Sequence, residues 1–191
     1  MASIPAPDTV AAALAHTVQQ HPKTAYIDQD RDISWQEVAA TSSRLARRLR
    51  ALGLGKGDRI GIILPNRIKA VLAPRSYAGF DYVQFFTQAQ ARFPALQLLL
   101  FVDDAPPVDA KDGPGVAFHT LLAPGADDTA ALPAECSPQP DDLLLIIYTS
   151  GTTGRPKAAG ITHRSQLASA RAQAAHTKLT ADDLVQLALP L

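Results

Sequence analysis

The amino-acid sequence predicts an α/β fold, built on a mixed, mainly parallel sheet with flanking helices. Three short apolar runs, at 58–64, 98–102 and 143–148, have the length and composition of strands that are buried on both faces. An amphipathic helical segment precedes the first run, and a segment of mixed helical character, 79–92, separates the first two. Buried strands that alternate with helices are typical of a sheet with parallel members.

The first elements are a helix and two short strands. Asp8 or Thr9 can supply the N-terminal cap of the helix, and Pro22 ends it. Three apolar residues recur every four positions along one face of this helix: Val10, Leu14 and Val18. The segments 24–28 and 31–34 then have the composition of strands joined by a polar turn.

A second helix begins with the clearest local signal in the first half of the chain. Ser34 and Glu37 have the S-x-x-E spacing of a capping box, in which each side chain satisfies a backbone donor of the other residue. Gly53 can end this helix in a left-handed conformation. The residues that we expect on its buried face are Val38, Leu45, Leu49 and Leu52.

The second helix also carries a cluster of basic residues: Arg44, Arg47, Arg48 and Arg50. One interpretation is a phosphate-binding site. We favour the other interpretation, a basic face without a ligand, because arginine is a good helix former and a solvated charged face needs no partner. Further along, the segment 103–142 is rich in Pro, Gly, Ala and Asp, and predicts a surface excursion with one weak helical turn near 118–122.

The bulk composition excludes several classes of protein. Apolar residues make up 47% of the 191 residues and charged residues 19%, which indicates a folded globular chain. Eighteen basic and eighteen acidic residues balance, so no charge excess indicates a nucleic-acid or anionic-membrane partner. The single Cys136 excludes an internal disulfide framework, and the histidines lack metal-ligand spacing. We expect no secretory leader and no membrane span, and therefore a cytoplasmic location.

The segment that carries chemistry follows the apolar run 143–148. Two glycines, Gly151 and Gly154, permit backbone conformations in which N–H groups approach an anion closely. Lys157 adds a compact positive charge, and a charge-assisted hydrogen bond contributes about 1.5–3 kcal/mol. The hydroxyl groups that can donate to phosphate oxygens belong to Thr149, Ser150, Thr152 and Thr153. A buried strand that is followed by a loop with these glycines, hydroxyl groups and a lysine predicts a phosphate-binding site.

Three other interpretations compete for this loop. A loop rich in Gly, Ser and Thr after a strand is often only a turn. The Walker pattern requires a hydroxyl residue after its lysine, where Ala158 stands, and a glycine before it, where Pro156 stands. A dinucleotide fingerprint requires G-x-G-x-x-G, and Gly151 to Gly154 supplies only G-x-x-G. Neither of these two motifs fits.

The string from Ile146 to Lys157 resembles, without a mismatch, the AMP-binding signature of the adenylate-forming superfamily. That superfamily comprises acyl- and aryl-CoA synthetases, adenylation domains of peptide synthetases, and luciferases. Further stretches are similar to the family pattern: 9–10, 21–22, 34–37, 52–53, 57–60, 64–66 and 162–164. The segment from 79–82 through 94–96 is similar to acyl-CoA synthetases, which favours that group over peptide synthetases.

The resemblance implies the chemistry and the cofactors. A carboxylate attacks the α-phosphate of ATP with Mg2+ as cofactor, and a thiol, commonly that of coenzyme A, then takes the acyl group. The residues that the resemblance assigns to nucleotide binding are Thr149, Ser150, Gly151, Thr152, Thr153, Gly154, Lys157 and His163. For His163 two alternatives stay open: contact with the nucleotide, or structural support at the start of the next helix, predicted at 165–175. We slightly favour structural support.

The sequence also departs from the family pattern. After Ala73 it lacks a stretch of the large domain, which resembles an internal deletion, and Ala158 stands where the family usually has glycine. The family's later residues for magnesium and ribose, and its C-terminal domain with a catalytic lysine, do not follow. We therefore expect an incomplete N-terminal part of the large domain, in three segments, 1–73, 74–142 and 143–191, that is inactive alone. The alternative is a non-catalytic remnant that binds nucleotide weakly or acts through a partner.

Overall fold

The computed structural model describes residues 6–21, 23–28, 31–62, 69–102, 115–125, 132–149, 157–183 and 185. The chain divides into two compact units. The first comprises Met1–Thr24 and Pro138–Leu191, and the second comprises Ala25–Ser137. The division into three segments at 73 and 142 stays a prediction.

In the described part of the chain, groups of two to four strands separate the four α-helices. In order they are α1 (Val10–Gln20), β1 (Thr24–Asp28), β2 (Arg31–Ser34), α2 (Trp35–Ala51), β3 (Ile60–Ile62), β4 (Ala70–Ala73), β5 (Ser76–Tyr77), β6 (Phe80–Asp81), α3 (Tyr82–Arg92), β7 (Leu98–Phe101), β8 (Gly115–Ala117), β9 (Leu143–Thr149), β10 (Lys157–Thr162) and α4 (His163–Thr177). Short 3-10 helices cover Phe118–Leu121 and Ala134–Cys136.

The second unit is built on a four-stranded parallel sheet in the order β3-β4-β7-β8. Successive side chains of a strand point to opposite faces, so this sheet has two apolar faces. One face packs against α3, and the core cluster on this side comprises Val71, Ala73, Phe86, Leu96, Leu99 and Phe101. The other packs against α2, and the core cluster on that side comprises Leu54, Ala70, Leu98, Leu100 and Leu121. The predicted α/β class, with a mainly parallel sheet and flanking helices, is confirmed.

The capping box at the start of α2 is formed as predicted. Glu37 N donates to Ser34 Oγ at 3.2 Å, and Ser34 N donates to the Glu37 carboxylate at 2.8 Å. These hydrogen bonds from Ser34 and the nearby Arg31 lower the pKa of Glu37 below its ordinary value of 4.5. A cap of this kind stabilises the first turn of the helix, because it supplies acceptors for backbone N–H groups that have none within the helix. Gly53 has φ +87°, so it ends the helix in the left-handed conformation that the sequence predicts.

The buried face of α2 is shorter than predicted. Leu45 and Leu49 pack against the core beneath the sheet. Leu52 was expected beside them, but it is the C-cap residue and its side chain is 41% exposed. The helix ends before this position, so Leu52 no longer follows the helical face, and the prediction for it was wrong.

The arginines of α2 make hydrogen bonds and an ion pair within their own unit. Arg44 Nη1 donates to the carbonyl oxygen of Leu122 at 2.8 Å, and Arg48 Nη1 to that of Thr120 at 2.6 Å. Arg50 donates to the carboxylate of Glu135 at 3.1 Å. These contacts hold the segment after β8 against α2. They give the cluster a structural role that requires no phosphate.

Four strands of the second unit were not predicted: β4, β5, β6 and β8. The strand β8 lies inside the segment that we expected to be a surface excursion, and it pairs with the edge of the parallel sheet. Before α3, the antiparallel strands β5 and β6 are joined by Ala78 and Gly79, which both have positive φ. Two such residues form the tight hairpin turn whose twist matches the flanking strands.

Candidate functional site

The predicted phosphate loop connects the two strands of an antiparallel hairpin. In β9 and β10 the residue pairs run from Lys157 opposite Thr149 to Thr162 opposite Leu143. The ends of the loop, Thr149 and Lys157, therefore lie directly across from each other. Five of the predicted site residues lie outside the described residues: Ser150, Gly151, Thr152, Thr153 and Gly154. Their phosphate-binding role stays a prediction.

Lys157 is the first residue of β10, and its side chain is exposed. The next residue, Ala158, lies in the strand opposite Tyr148 and does not have a positive φ. The replacement of the family's glycine by Ala158 is thus compatible with the backbone here. Because Lys157 is the first residue of a regular strand, the backbone position of this charged residue is fixed at the end of the loop.

The strand β9 exists as predicted, but its burial was predicted wrongly. The apolar run indicated a strand that is covered on both faces. Instead five of its side chains are at least 38% exposed: Leu143, Leu145, Ile146, Ile147 and Tyr148. Among the described residues, β10 is the only strand that pairs with β9, and a two-stranded sheet covers neither of its faces.

The open end of the hairpin is the end away from the loop, where Thr162 lies opposite Leu143. Residues that flank this end are joined by hydrogen bonds and an ion pair. Arg164 donates to both carboxylate oxygens of Asp141, from Nε at 2.8 Å and from Nη2 at 3.1 Å. Its backbone N–H donates to the carbonyl oxygen of Pro140 at 2.9 Å, and that of His163 to Asp142 at 3.3 Å. The hydrogen bond from Arg164 lowers the pKa of Asp141 below its ordinary value of 3.8.

Asp141 was not singled out from the sequence. No local spacing pairs residues 23 positions apart, and only the antiparallel register brings them together. The side chains of Arg164 and Asp141 are both more than half exposed, so their ion pair adds little to the stability of the fold. Its main effect is to hold the segment before β9 beside the start of α4.

The helix α4 begins directly after β10 and is longer at each end than the predicted 165–175. Thr162 and Ser165 form a reciprocal capping box, with Ser165 N donating to Thr162 Oγ1 at 3.1 Å and Thr162 N donating to Ser165 Oγ at 3.0 Å. Lys178 ends the helix with φ +55°. The start that the resemblance at 162–164 implied for this helix is correct to within two residues, whereas the capping box itself was not predicted.

His163 is buried at the first position of α4, with 8% of its surface exposed. Its Nδ1 accepts a hydrogen bond from the backbone N–H of Val10 at 3.2 Å. This contact gives His163 a structural role, but at the start of α1 and not at the start of the following helix, where the sequence placed it. The contact with nucleotide stays a prediction. Among the described residues, no group of three or more metal-ligating side chains is present, and no helix is long and apolar enough to cross a membrane.

The fold and the hairpin place this chain among α/β proteins in which a strand is followed directly by a loop rich in glycine and hydroxyl residues. The family described as AMP-binding enzyme matches residues 14–74 and 88–191. The chain belongs to this family of AMP-binding, adenylate-forming enzymes. The unmatched stretch between the two blocks begins beside Pro74, where the sequence departs from the family pattern.

Two curated relatives from Mycobacterium tuberculosis are CoA ligases. One, a 3-[(3aS,4S,7aS)-7a-methyl-1,5-dioxo-octahydro-1H-inden-4-yl]propanoyl:CoA ligase, is 32% identical over 92% of this chain and 40% of its own length. The other, the long-chain-fatty-acid–CoA ligase FadD13, is 29% identical over 87% of this chain and 37% of its own length. The chain therefore spans well under half of the length of these relatives.

A solved structure shares the fold. The O-succinylbenzoate coenzyme A synthetase MenE from Bacillus subtilis, in complex with AMP, superposes with a TM-score of 0.60 at 24% identity. The match covers 89% of this chain and 47% of that chain. Another structure of the same synthetase holds ATP and a magnesium ion. The agreement supports the assignment of the α/β fold to the N-terminal part of such enzymes.

Proposed function

We propose that this chain supplies the triphosphate-binding part of a cytoplasmic enzyme that activates a carboxylic acid with ATP and Mg2+. The carboxylate oxygen attacks the α-phosphorus, the bond to pyrophosphate breaks, and an acyl-adenylate forms. A thiol sulfur, that of coenzyme A in the CoA ligases, then attacks the acyl carbon and AMP leaves. The observation that carries this proposal is the hairpin in which Thr149 and Lys157 face each other across the signature loop.

The role of the loop in this reaction is positional and electrostatic. Backbone N–H groups around Gly151 and Gly154, hydroxyl groups and the Lys157 ammonium would hold the β- and γ-phosphates. Donors that are fixed before the reaction meet negative charge as it develops on the departing pyrophosphate, without reorganisation. Magnesium would supply further positive charge between the phosphates. The carboxylic acid substrate is not specified by the residues of this chain.

A second candidate function follows from the length of the match. The chain spans 37% and 40% of two CoA ligase relatives. A chain that retains the loop but lacks the rest of the enzyme would bind nucleotide without turning it over, or would act through a partner protein. The two functions differ in turnover, whereas both require the phosphate loop.

Exchange of labelled pyrophosphate into ATP distinguishes the two functions, because it reports adenylate formation directly. We expect no exchange by the 191-residue chain with any member of a panel of fatty, aromatic and alicyclic acids. We expect exchange with at least one of these acids when the chain is extended to the length of its ligase relatives. No exchange by a well-folded extended protein would contradict the enzymatic proposal, and exchange by the chain alone would show that it is complete enough for chemistry.

A further inference from the structure

A backbone N–H group at the N terminus of α1 donates a hydrogen bond to a side chain outside this helix. The N–H groups of a first helical turn have no intrahelical acceptors. Thr9 Oγ1 accepts from Ala12 N at 3.1 Å, as an ordinary N-cap does. Val10 N donates instead to Nδ1 of His163 at 3.2 Å, across 153 positions of sequence.

Both capping side chains are buried. Thr9 is 7% exposed and His163 is 8% exposed. Water is therefore poorly placed to replace either acceptor, and removal of one would leave a backbone donor without its partner in a shielded position. The imidazole ring can accept at Nδ1 only when that nitrogen carries no proton, which places the proton of the neutral ring on Nε2.

The position of His163 on the hairpin separates it from the loop. Lys157 lies at the loop end of β10, and Thr162, next to His163, lies at the open end opposite Leu143. The six residues of β10 span about 20 Å in extended conformation. A side chain at the open end thus lies far along the strand from Lys157, at the loop end of the hairpin.

We infer that His163 is a positioning residue, which caps α1 through Nδ1 and thereby fixes the open end of the β9–β10 hairpin. Its neighbours reinforce this attachment: the backbone N–H of His163 donates to Asp142, and Arg164 binds Asp141. The effect on ATP rests on the proposed function, since the hairpin carries the loop. The capping contact itself does not depend on that function.

Three substitutions of His163 test which ring nitrogen matters. The side-chain amide of Asn can place an acceptor near the position of Nδ1, and that of Gln near Nε2. We expect His163→Ala and His163→Gln to lower the melting temperature by about 2–8 °C, since the Val10 N–H loses its acceptor. His163→Asn restores most of this loss. ATP affinity follows the same order, with the Asn variant nearest to wild type. His176→Asn, at an exposed position of the last turn of α4, is the matched control and leaves the melting temperature unchanged.

Nitrogen NMR of the His163 ring supplies a readout that a general loss of stability would not produce. We expect an unprotonated Nδ1 and a protonated Nε2 in the native protein. A proton on Nδ1, or a Gln variant that restores the melting temperature when the Asn variant does not, would overturn the inference. A Gln variant that restores ATP binding when the Asn variant does not would overturn it in favour of a nucleotide contact through Nε2. The expected melting order and ring state without any ATP binding by the wild-type chain would uphold the capping role and count against the proposed function.

Discussion

The substitution Phe101→Ala is expected to reduce the free energy of unfolding of the second unit by about 3–5 kcal/mol. Phe101 is 1% exposed on β7, and it belongs to the core cluster beneath α3. The guanidinium of Arg75 also lies 5.0 Å from the centroid of its ring. The substitution would leave a cavity between the sheet and α3. It would also remove the aromatic ring that the Arg75 guanidinium contacts. Domains of ordinary stability have about 5–15 kcal/mol in total, so the loss is severe.

Urea denaturation followed by tryptophan fluorescence measures this loss. The single tryptophan, Trp35, begins α2 in the same unit. Phe85→Ala is the matched control, because it removes the same side chain from α3 at a position that is 49% exposed. The control is expected to cost about 1 kcal/mol or less, mainly through its ring contacts. Equal losses for the two variants would contradict the placement of Phe101 in the core.

Replacement of Lys157 by alanine is expected to weaken ATP binding on the order of 10- to 100-fold. The lysine is exposed at the first position of β10, directly after the loop. A hydrogen bond between an ammonium and a phosphate oxygen contributes about 1.5–3 kcal/mol, and each 1.4 kcal/mol changes affinity about tenfold. Calorimetric titration of the 191-residue chain with ATP and magnesium measures the change.

Two further variants separate local contact from total charge. Lys23→Ala removes the same charge from the first unit, where Lys23 forms an exposed ion pair with Asp182, and we expect it to leave ATP affinity nearly unchanged. Lys157→Arg keeps the charge and should retain part of the affinity, although the guanidinium is not a substitute for a compact ammonium. If Lys157→Ala binds ATP as well as Lys23→Ala does, the lysine has no part in the site.

The sequence predicted those features that depend on neighbouring residues. The cap at Ser34 and Glu37, the left-handed stop at Gly53 and the strand predicted at 98–102 each follow from a few consecutive positions. The structure contains all three, with the strand at Leu98–Phe101. The phosphate loop was recognised for the same reason, since its glycines, hydroxyls and lysine are contiguous. The family match confirms the class that this loop indicated.

The features that were missed depend on residues far apart in the chain. β8 has only three residues, and its pairing with β7 decides that it is a strand. The burial of β9 cannot be deduced from its apolar sequence, because burial depends on which elements cover the strand. The contact between Val10 and His163 joins positions 153 apart, and no periodic pattern connects them. Local chemistry was thus predictable, whereas long-range pairing was not.

The most direct test of the central claim is a map of backbone amide shifts as ATP and magnesium are added to the chain. The claim is that the loop between Thr149 and Lys157 holds the triphosphate. We expect the largest changes at residues 149–158, and none at the exposed hairpin of β5 and β6, which serves as an internal control. Saturable changes at the loop that require about 10- to 100-fold more ATP in Lys157→Ala would agree with the account. Changes confined to other parts of the chain, or none at the loop at saturating ATP, would contradict it.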